Sequence, residues 1–200
     1  AALRREGRDA TIVRLSGDGT GDLNTQAGVL QTAVRAALRG GAASVDVVGY
    51  SAGGVTARLW VRAYDGGSVA RRIVTLGSPQ HGTDLAALAT DLAPDTCPEA
   101  CRQLATDSDL VRSLNSGDET PPGPAWVSIW TTDDRISTPP ETASLAGALD
   151  FSVQSVCPGR SVTHGQLPND PAVIAMVLGE LRRTPPTVPP ASVCSSSAGS

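Results

Sequence analysis

Ser51 is the residue in this sequence whose surroundings most clearly point to chemistry. It lies in the pattern Gly-x-Ser-x-Gly at residues 49–53. An apolar run leads directly into the motif and a helical pattern leaves it, as a nucleophile elbow requires, because there a sharp strand-to-helix turn exposes the serine hydroxyl. The pattern alone arises readily by chance, so the inference depends on this context. It predicts that Ser51 is a nucleophile for acyl transfer.

The elbow also predicts roles for the neighbours of Ser51. Glycines at 49 and 53 are expected because Cβ atoms flanking a strained serine would clash in so tight a turn. The backbone N–H of Ala52, at the start of the helix, would face the oxyanion formed during acyl transfer. The alternative interpretation is a Gly/Ser-rich turn in an ordinary doubly wound sheet, with no catalytic role.

A serine hydroxyl needs a base, and the chain has two histidines, His81 and His164. The order expected for an elbow serine is nucleophile, acid, histidine. His164 lies in a Gly-containing loop after the last predicted strand and leaves room for an acid before it. No acid at a strand end would precede His81. We therefore predict His164 as the base and His81 as a loop residue with structural hydrogen bonds.

The acid must support His164 from a strand end on the same edge of the sheet. The predicted strand at 126–131 leads into Asp133 and Asp134. Spacing alone does not choose between these two carboxylates. The remaining candidates precede strands or lie on a Pro-rich loop, and they are Asp46, Asp150 and Glu141.

Alternating strands and helices would position these residues. Apolar runs predict strands at 10–15, 45–49, 72–76, 126–131 and 151–156. Helical periodicity predicts helices at 23–39, 52–64 and 83–92, and a last one that begins with Asp170 as N-cap. A long irregular insertion reaches residue 124. The pattern predicts an α/β fold with a mostly parallel sheet flanked by helices and a minimal or absent cap domain. Residues 1–183 would form the catalytic domain and residues 184–200 a Pro/Ser-rich tail.

Length and charge exclude several classes of partner. With 200 residues and a net charge of −4, the chain is expected to be a monomeric single domain without an electrostatic footprint for nucleic acid. No apolar run approaches the roughly 20 residues that span a bilayer, so stable membrane insertion is not expected. No metal or cofactor site is visible, and the expected partner is an acyl ester or lipid substrate.

The four cysteines of the chain are Cys97, Cys101, Cys157 and Cys194. Zinc binding is the rival interpretation, but no histidine or further cysteine stands at ligand spacing near the first pair. Of the possible disulfide pairings, we favour Cys97–Cys101 with Cys157–Cys194. Disulfides indicate an oxidising, extracellular setting.

Four motifs in order resemble the small class 2 bacterial lipases, and the resemblance covers residues 1 to about 183. They are VGYSAGG at 48–54, LGSPQHGT at 76–83, SIWTTDD at 128–134 and SVTHG at 161–165. The resemblance implies an α/β-hydrolase fold, secretion, and cleavage of acylglycerols and other carboxylic esters by a Ser-His-Asp triad. In that family an aliphatic residue follows two positions after the acid. Ile136 therefore assigns the acid to Asp134, with Asp133 as the alternative.

One departure from the family concerns the oxyanion hole. In α/β-hydrolases the second donor comes from a loop after the central strand that precedes the first major helix. This chain begins inside what resembles that helix. We therefore expect an N-terminally incomplete fragment whose absent strand would lie between the strands at 10–15 and 45–49. Two alternatives to ester hydrolysis stay open: transfer of the acyl group to an alcohol, and an inactive hydrolase scaffold that binds apolar ligands or a partner.

Overall fold

Four parallel strands form the centre of the molecule. The structure, a computed structural model, describes residues 2–93 and 95–196. The strands are β1 (Val45–Tyr50), β2 (Ala70–Leu76), β3 (Ala125–Trp130) and β4 (Leu149–Ser152), and they lie side by side in that order. All of their pairings are parallel. The carboxyl ends of the strands therefore meet at one edge of the sheet, where the predicted site residues are expected.

Helices cover both faces of this sheet. They are α1 (Ala2–Arg5), α2 (Leu23–Arg39), α3 (Ala52–Tyr64), α4 (Asp84–Leu92), α5 (Glu99–Gln103), α6 (Asp109–Leu114), α7 (Val153–Val156) and α8 (Pro171–Arg182). Side-chain caps fix where the two main covering helices start: Asp22 accepts from the N–H groups of Asn24 and Thr25, and Asp170 from those of Ala172 and Val173.

The apolar side chains of β2 alternate between two clusters. Val74 and Leu76 face α8 and pack with Met176. Ile73 points to the opposite face and packs with Trp60 of α3, in a cluster that also contains residues of α2. This alternation follows from the two-residue period of a strand that is buried on both faces. The α/β class and the parallel sheet flanked by helices are confirmed.

Two predicted strands differ from the structure. Residues 10–15 are irregular and have no strand partner in the part of the chain that the structure describes. Val13 packs against the cluster around Trp60, whereas Ile12 is 79% exposed. These side chains alternate between buried and exposed, as in a strand, although the segment pairs with no strand among the described residues. The strand predicted at 151–156 ends at Ser152, whose hydroxyl accepts from Ser155 N–H and begins α7. Val153 and Val156 are buried three positions apart, as on one face of a helix. In so short an apolar run, periodicity does not distinguish a helix from a strand, which is why the prediction was wrong.

Loops and short helices connect α4 to β3, and α3 holds them in place. The guanidinium of Arg58 is buried and donates to the carbonyl oxygens of Gln80, Leu114 and Glu119. Because Arg58 of α3 binds main-chain oxygens of Leu114 and Glu119, and Leu114 is buried in a cluster with residues of α2 and α3, the insertion packs against these helices instead of forming a separate cap. No helix among the described residues is long and apolar enough to cross a membrane.

Candidate active site

Ser51 lies between β1 and α3, with φ 53° and ψ −129°. This region of backbone conformation is strained for a residue with a side chain. The Ser51 N–H donates to Leu76 O at 2.9 Å, which ties the turn to β2. A Cβ atom on Gly49 would lie 2.7 Å from Gly53 O and from Gly54 N. The turn therefore requires glycine at 49, as predicted.

The second glycine that the turn requires is Gly54 and not Gly53. A Cβ atom on Gly53 would meet nothing within 4 Å, so the expectation for that position was wrong. On Gly54 it would lie 2.1 Å from Ser78 Oγ and 2.9 Å from Thr75 Cγ2. The first turn of α3 packs directly on the carboxyl end of β2, and this long-range contact gives no signal in the local motif.

His164 reaches Ser51 from the loop that precedes α8. Its Nε2 atom lies 3.0 Å from Ser51 Oγ, and the histidine is only 7% exposed. The residue starts a single helical turn, His164–Gln166, which Thr163 and Gln166 cap reciprocally. The structure thus brings together the two residues that the sequence predicted as nucleophile and base.

Asp134 binds the other nitrogen of the imidazole. Its Oδ2 atom lies 2.7 Å from His164 Nδ1, and its side chain is 1% exposed. The second oxygen, Oδ1, accepts from the N–H groups of Ile136 and Ser137 at 2.8 and 2.9 Å. A carboxylate held in this way orients the imidazole with Nδ1–H towards it. Nε2 is then free to accept a proton.

Asp133 does not reach the imidazole. Its Oδ2 atom accepts instead from Ser161 Oγ at 2.8 Å and from Val162 N–H at 3.2 Å. The other acids considered from the sequence lie elsewhere. Asp46 is paired with Arg8 and Arg71, Asp150 accepts from Ser144 Oγ, and Glu141 lies in the turn Pro140–Ala143.

Ala52 is the first residue of α3, directly after Ser51. The first N–H groups of a helix have no acceptor within that helix, and the helix dipole makes this end favourable for negative charge. The N–H of Ala52 therefore stands beside Ser51 without an acceptor in α3, where the elbow motif predicts a donor to the oxyanion on a substrate's carbonyl oxygen.

Tyr50 is a contact of the histidine that sequence reasoning missed. Its hydroxyl donates to His164 O at 3.3 Å, and the two rings lie 5.1 Å apart at an interplanar angle of 41°. Burial, with the charge of Asp134 nearby, raises the pKa of Tyr50, so the hydroxyl stays a donor. The sequence feature from which this contact could have been predicted is the position of Tyr50 directly before Ser51.

Gly77 is a second residue that the sequence did not single out. It has φ 53°, and a Cβ atom there would lie 2.6 Å from Leu167 Cδ1 and 3.2 Å from Asp134 Oδ2. Its carbonyl oxygen accepts from Ser137 Oγ at 2.8 Å. The backbone after β2 thus approaches the Asp134–His164 pair closely, and only glycine leaves enough space for it.

His81 lies apart from the Ser51–His164 contact. Its Nε2 atom is 2.9 Å from Glu119 Oε1, and its main-chain N–H donates to Thr142 O. Burial raises the pKa of Glu119, but hydrogen bonds from His81 and Ala146 outweigh it, so the pKa lies below its ordinary value. His81 joins three loops, in line with the structural hydrogen bonds predicted for it.

The cysteines form two disulfides in the structure, Cys97–Cys101 and Cys157–Cys194. The first joins Cys97, just before α5, to Cys101 within α5. The second connects the residue after α7 to the turn Ala191–Ser195 near the end of the described chain. Among residues 2–93 and 95–196, no group of three or more His, Cys, Asp and Glu side chains could hold a metal ion.

Comparisons with known proteins give a consistent result. A family model described as lipase (class 2) matches residues 30–174. Lipase B of Aspergillus fumigatus superposes with a TM-score of 0.74 at 19% identity, over 90% of this chain and 48% of that one. The mature form of Bacillus licheniformis lipase BlEst2 gives a TM-score of 0.55 at 18% identity, over 66% and 65% of the two chains. A search of curated protein sequences found no match. The chain spans about half the length of the fungal lipase.

Proposed function

The chain belongs to the class 2 lipase family, and from this premise we propose that it hydrolyses carboxylic esters through an acyl-enzyme on Ser51. The observation that carries the proposal is the continuous hydrogen-bonded path from Ser51 Oγ to His164 Nε2 and from His164 Nδ1 to Asp134, with steps of 3.0 and 2.7 Å. Such a path activates a serine hydroxyl at neutral pH, because the base accepts its proton as the serine attacks.

The first half-reaction forms the acyl-enzyme. Ser51 Oγ attacks the ester carbonyl carbon while His164 Nε2 takes the hydroxyl proton. The negative charge on the carbonyl oxygen faces the amide of Ala52 at the start of α3. The C–O bond to the alcohol then breaks, and His164 gives its proton to the departing oxygen. Asp134 keeps its charge throughout and stabilises the imidazolium.

The second half-reaction releases the acid. A water molecule gives a proton to His164 Nε2 and attacks the acyl carbon. The bond to Ser51 Oγ breaks, and the proton returns to the serine. The protons balance within this scheme, because each proton that His164 takes from a nucleophile is delivered to the next leaving group. The proposed steps therefore use only the side chains and main-chain groups named above and water.

Acyl esters, acylglycerols among them, are the proposed substrate class, and the apolar surface near the site supports this. Ile136 is half exposed two residues after Asp134, and Leu85 and Leu88 of α4 are exposed as well. The start of α4 lies beside the Ile136 loop, because Thr83 Oγ1 donates to Ile136 O and Asp84 N–H to Thr138 O. These side chains offer apolar surface to an acyl chain.

We also propose that the protein acts outside the cell as a monomer. The two disulfides support an oxidising compartment. Residues 1–183 would act as the catalytic unit, with residues 184–200 as a tail. Cys194 belongs to this tail, and its bond to Cys157 attaches the tail to the catalytic unit.

Labelling with a fluorophosphonate tests the proposal, together with hydrolysis of p-nitrophenyl butyrate. Ser51→Ala should abolish both, whereas Ser44→Ala, an exposed serine just before β1, should change neither. Product analysis with and without an added alcohol separates hydrolysis from acyl transfer. The enzymatic role is excluded if the wild-type protein takes no label and its rate matches that of Ser51→Ala. Predominant formation of a new ester would replace hydrolysis by acyl transfer.

A further inference from the structure

We propose that Thr131 and Asp133 are positioning residues for His164, and that they act by holding both main-chain polar groups of Val162. Both residues lie in the turn after β3, which ends at Trp130, and Val162 lies two positions before His164. The proposal rests on the function proposed above, in which His164 is the base. It assigns a role to the carboxylate that does not reach the imidazole.

Thr131 holds the carbonyl group. Its hydroxyl donates to Val162 O at 2.6 Å, and the residue is 0% exposed. The hydroxyl oxygen of Thr131 also accepts two hydrogen bonds, from Gln154 Nε2 at 2.9 Å and from Asp133 N–H at 3.2 Å. With its one proton donated and its lone pairs occupied, the hydroxyl has a single orientation. Thr131 therefore fixes the position of the Val162 carbonyl relative to the end of β3.

Asp133 holds the amide group of the same residue. One carboxylate oxygen, Oδ2, accepts both Val162 N–H and Ser161 Oγ, at 3.2 and 2.8 Å. Hydrogen bonds to a charged acceptor are stronger than those between neutral groups. Since both contacts use one oxygen atom, an amide oxygen could occupy the same place. The carboxylate charge is thus not needed for this geometry.

The loop is fixed from other directions as well. The side chain of Val162 is fully buried in the cluster beneath α8. Gln154 of α7 accepts from Thr132 N–H at 3.0 Å and donates to Arg160 O at 3.1 Å. With the side chain buried and both polar groups of its main chain bound, Val162 is held on every side. The chain then enters the capped turn that carries the imidazole.

Precise placement matters because a catalytic group must be held within about 0.5 Å of its productive position. The same turn after β3 carries Asp134, which binds the imidazole directly. One short segment therefore positions the ring and the main chain that bears it. If the Val162 contacts are lost, the main chain that carries His164 is less firmly placed, so the imidazole moves relative to both Asp134 Oδ2 and Ser51 Oγ.

The test compares pairs of variants on hydrolysis of p-nitrophenyl butyrate by the full chain. Asp133→Ala removes the acceptor, and Asp133→Asn keeps an oxygen in its place. Thr131→Val removes the hydroxyl at nearly constant volume, and Thr131→Ser restores it. Thr132→Val is the matched control, because Thr132 is exposed and lies in the same turn. Urea unfolding of each variant checks that the variant is folded under the conditions of the activity assay.

We expect Asp133→Ala and Thr131→Val to lower kcat by about 10- to 100-fold with KM nearly unchanged, as a displacement on the order of 1 Å would do. Asp133→Asn, Thr131→Ser and Thr132→Val should stay within about threefold of the wild type. The proposal is overturned if Asp133→Ala retains wild-type kcat. It is also overturned if Asp133→Asn is as impaired as Asp133→Ala, since the charge and not the hydrogen bonds would then matter.

A spectroscopic readout separates this proposal from the proposed function. The proton between His164 Nδ1 and Asp134 Oδ2 should give a low-field NMR resonance in the wild type. We expect this resonance to broaden in Asp133→Ala and to persist in Asp133→Asn. If Ser51→Ala still hydrolyses ester, the proposed function fails, yet the resonance still reports whether Asp133 positions the ring. An unchanged resonance in Asp133→Ala would contradict the positioning role whatever the activity.

Discussion

Asp133 and Asp134 are neighbours in the chain, but their carboxylates bind different parts of the same loop. Asp134 Oδ2 lies 2.7 Å from the imidazole of His164, whereas Asp133 Oδ2 lies 2.8 Å from Ser161 Oγ and holds the main chain before it. Two acids that the spacing does not distinguish thus have separate surroundings, one buried against the ring and one at the loop backbone.

The amide substitution at each acid should separate them by activity. Asp134→Asn should lower kcat by about 10⁴-fold, because an amide can donate to Nδ1 and then favours the tautomer whose Nε2 cannot accept the serine proton. Asp133→Asn should remain near the wild type for the reason given above. Steady-state kinetics on a soluble ester measures both. The reverse order of the two effects would assign the acid to Asp133.

Gly54→Ala should destabilise the fold, because its Cβ atom would overlap the side chains of Ser78 and Thr75. Overpacking of this kind costs about 1–3 kcal/mol in the free energy of unfolding. Gly53→Ala is the matched control: its Cβ atom meets nothing within 4 Å, and alanine is favoured over glycine inside a helix. Urea unfolding compares the two variants. Equal stabilities would show that α3 can shift away from β2.

The two disulfides should contribute unequally to stability. Cys157–Cys194 closes a sequence separation of 37 residues and Cys97–Cys101 one of 4. Loop-closure entropy gives about 4 kcal/mol for the first and about 2 kcal/mol for the second. The double substitution of Cys157 and Cys194 by Ala should therefore lower the urea midpoint more than that of Cys97 and Cys101. A larger loss from the short loop would contradict the entropic explanation.

Asp150 should make stability depend on pH in the direction opposite to most carboxylates. Burial raises the pKa of Asp150 above its ordinary value, despite hydrogen bonds from Ser144 and Trp130. The folded state therefore keeps this proton to higher pH than the unfolded state. Its contribution to the free energy of unfolding is thus fully present below pH about 4 and is lost as the pH rises through the folded pKa.

Asp150→Asn removes that titration. The free energy of unfolding of the variant, relative to the wild type, should increase between pH about 4 and about 7. Asp109→Asn, at a fully exposed side chain, controls for the general effect of an amide. Urea unfolding at both pH values measures the differences. A constant difference between Asp150→Asn and the wild type would show that the carboxyl titrates alike in the folded and unfolded states.

Local patterns were enough to predict the elbow region. The sequence placed a helix at 52–64, which is the range of α3, and a strand at 45–49, one residue shorter than β1. These segments carry their own signals, since an apolar run, a glycine-bordered serine and helical periodicity follow one another. The fold class followed from the alternation of such strands and helices, the family followed from the order of the motifs, and both are confirmed. The catalytic roles of the site residues stay a prediction.

Three features that depend on what lies beside a segment, and that no motif signals, were not predicted. Gly54 is required because Ser78 packs on it. Asp133 binds Val162, which lies 29 residues further along the chain. The segment at 10–15 has the alternation of a strand but no neighbour among the described residues. Propensity describes what a segment can do alone, whereas these outcomes depend on what lies beside it.

The order of the strands across the sheet equals their order along the chain. During synthesis from the amino terminus, the sheet can therefore grow by adding each new strand to the edge just completed. The serine of the elbow is made first, the acids after β3 follow, and the histidine emerges last. A growing polypeptide that ends before His164 thus carries the nucleophile without its base. Under the proposed mechanism, ester hydrolysis therefore begins only after the segment that carries His164 has been synthesised.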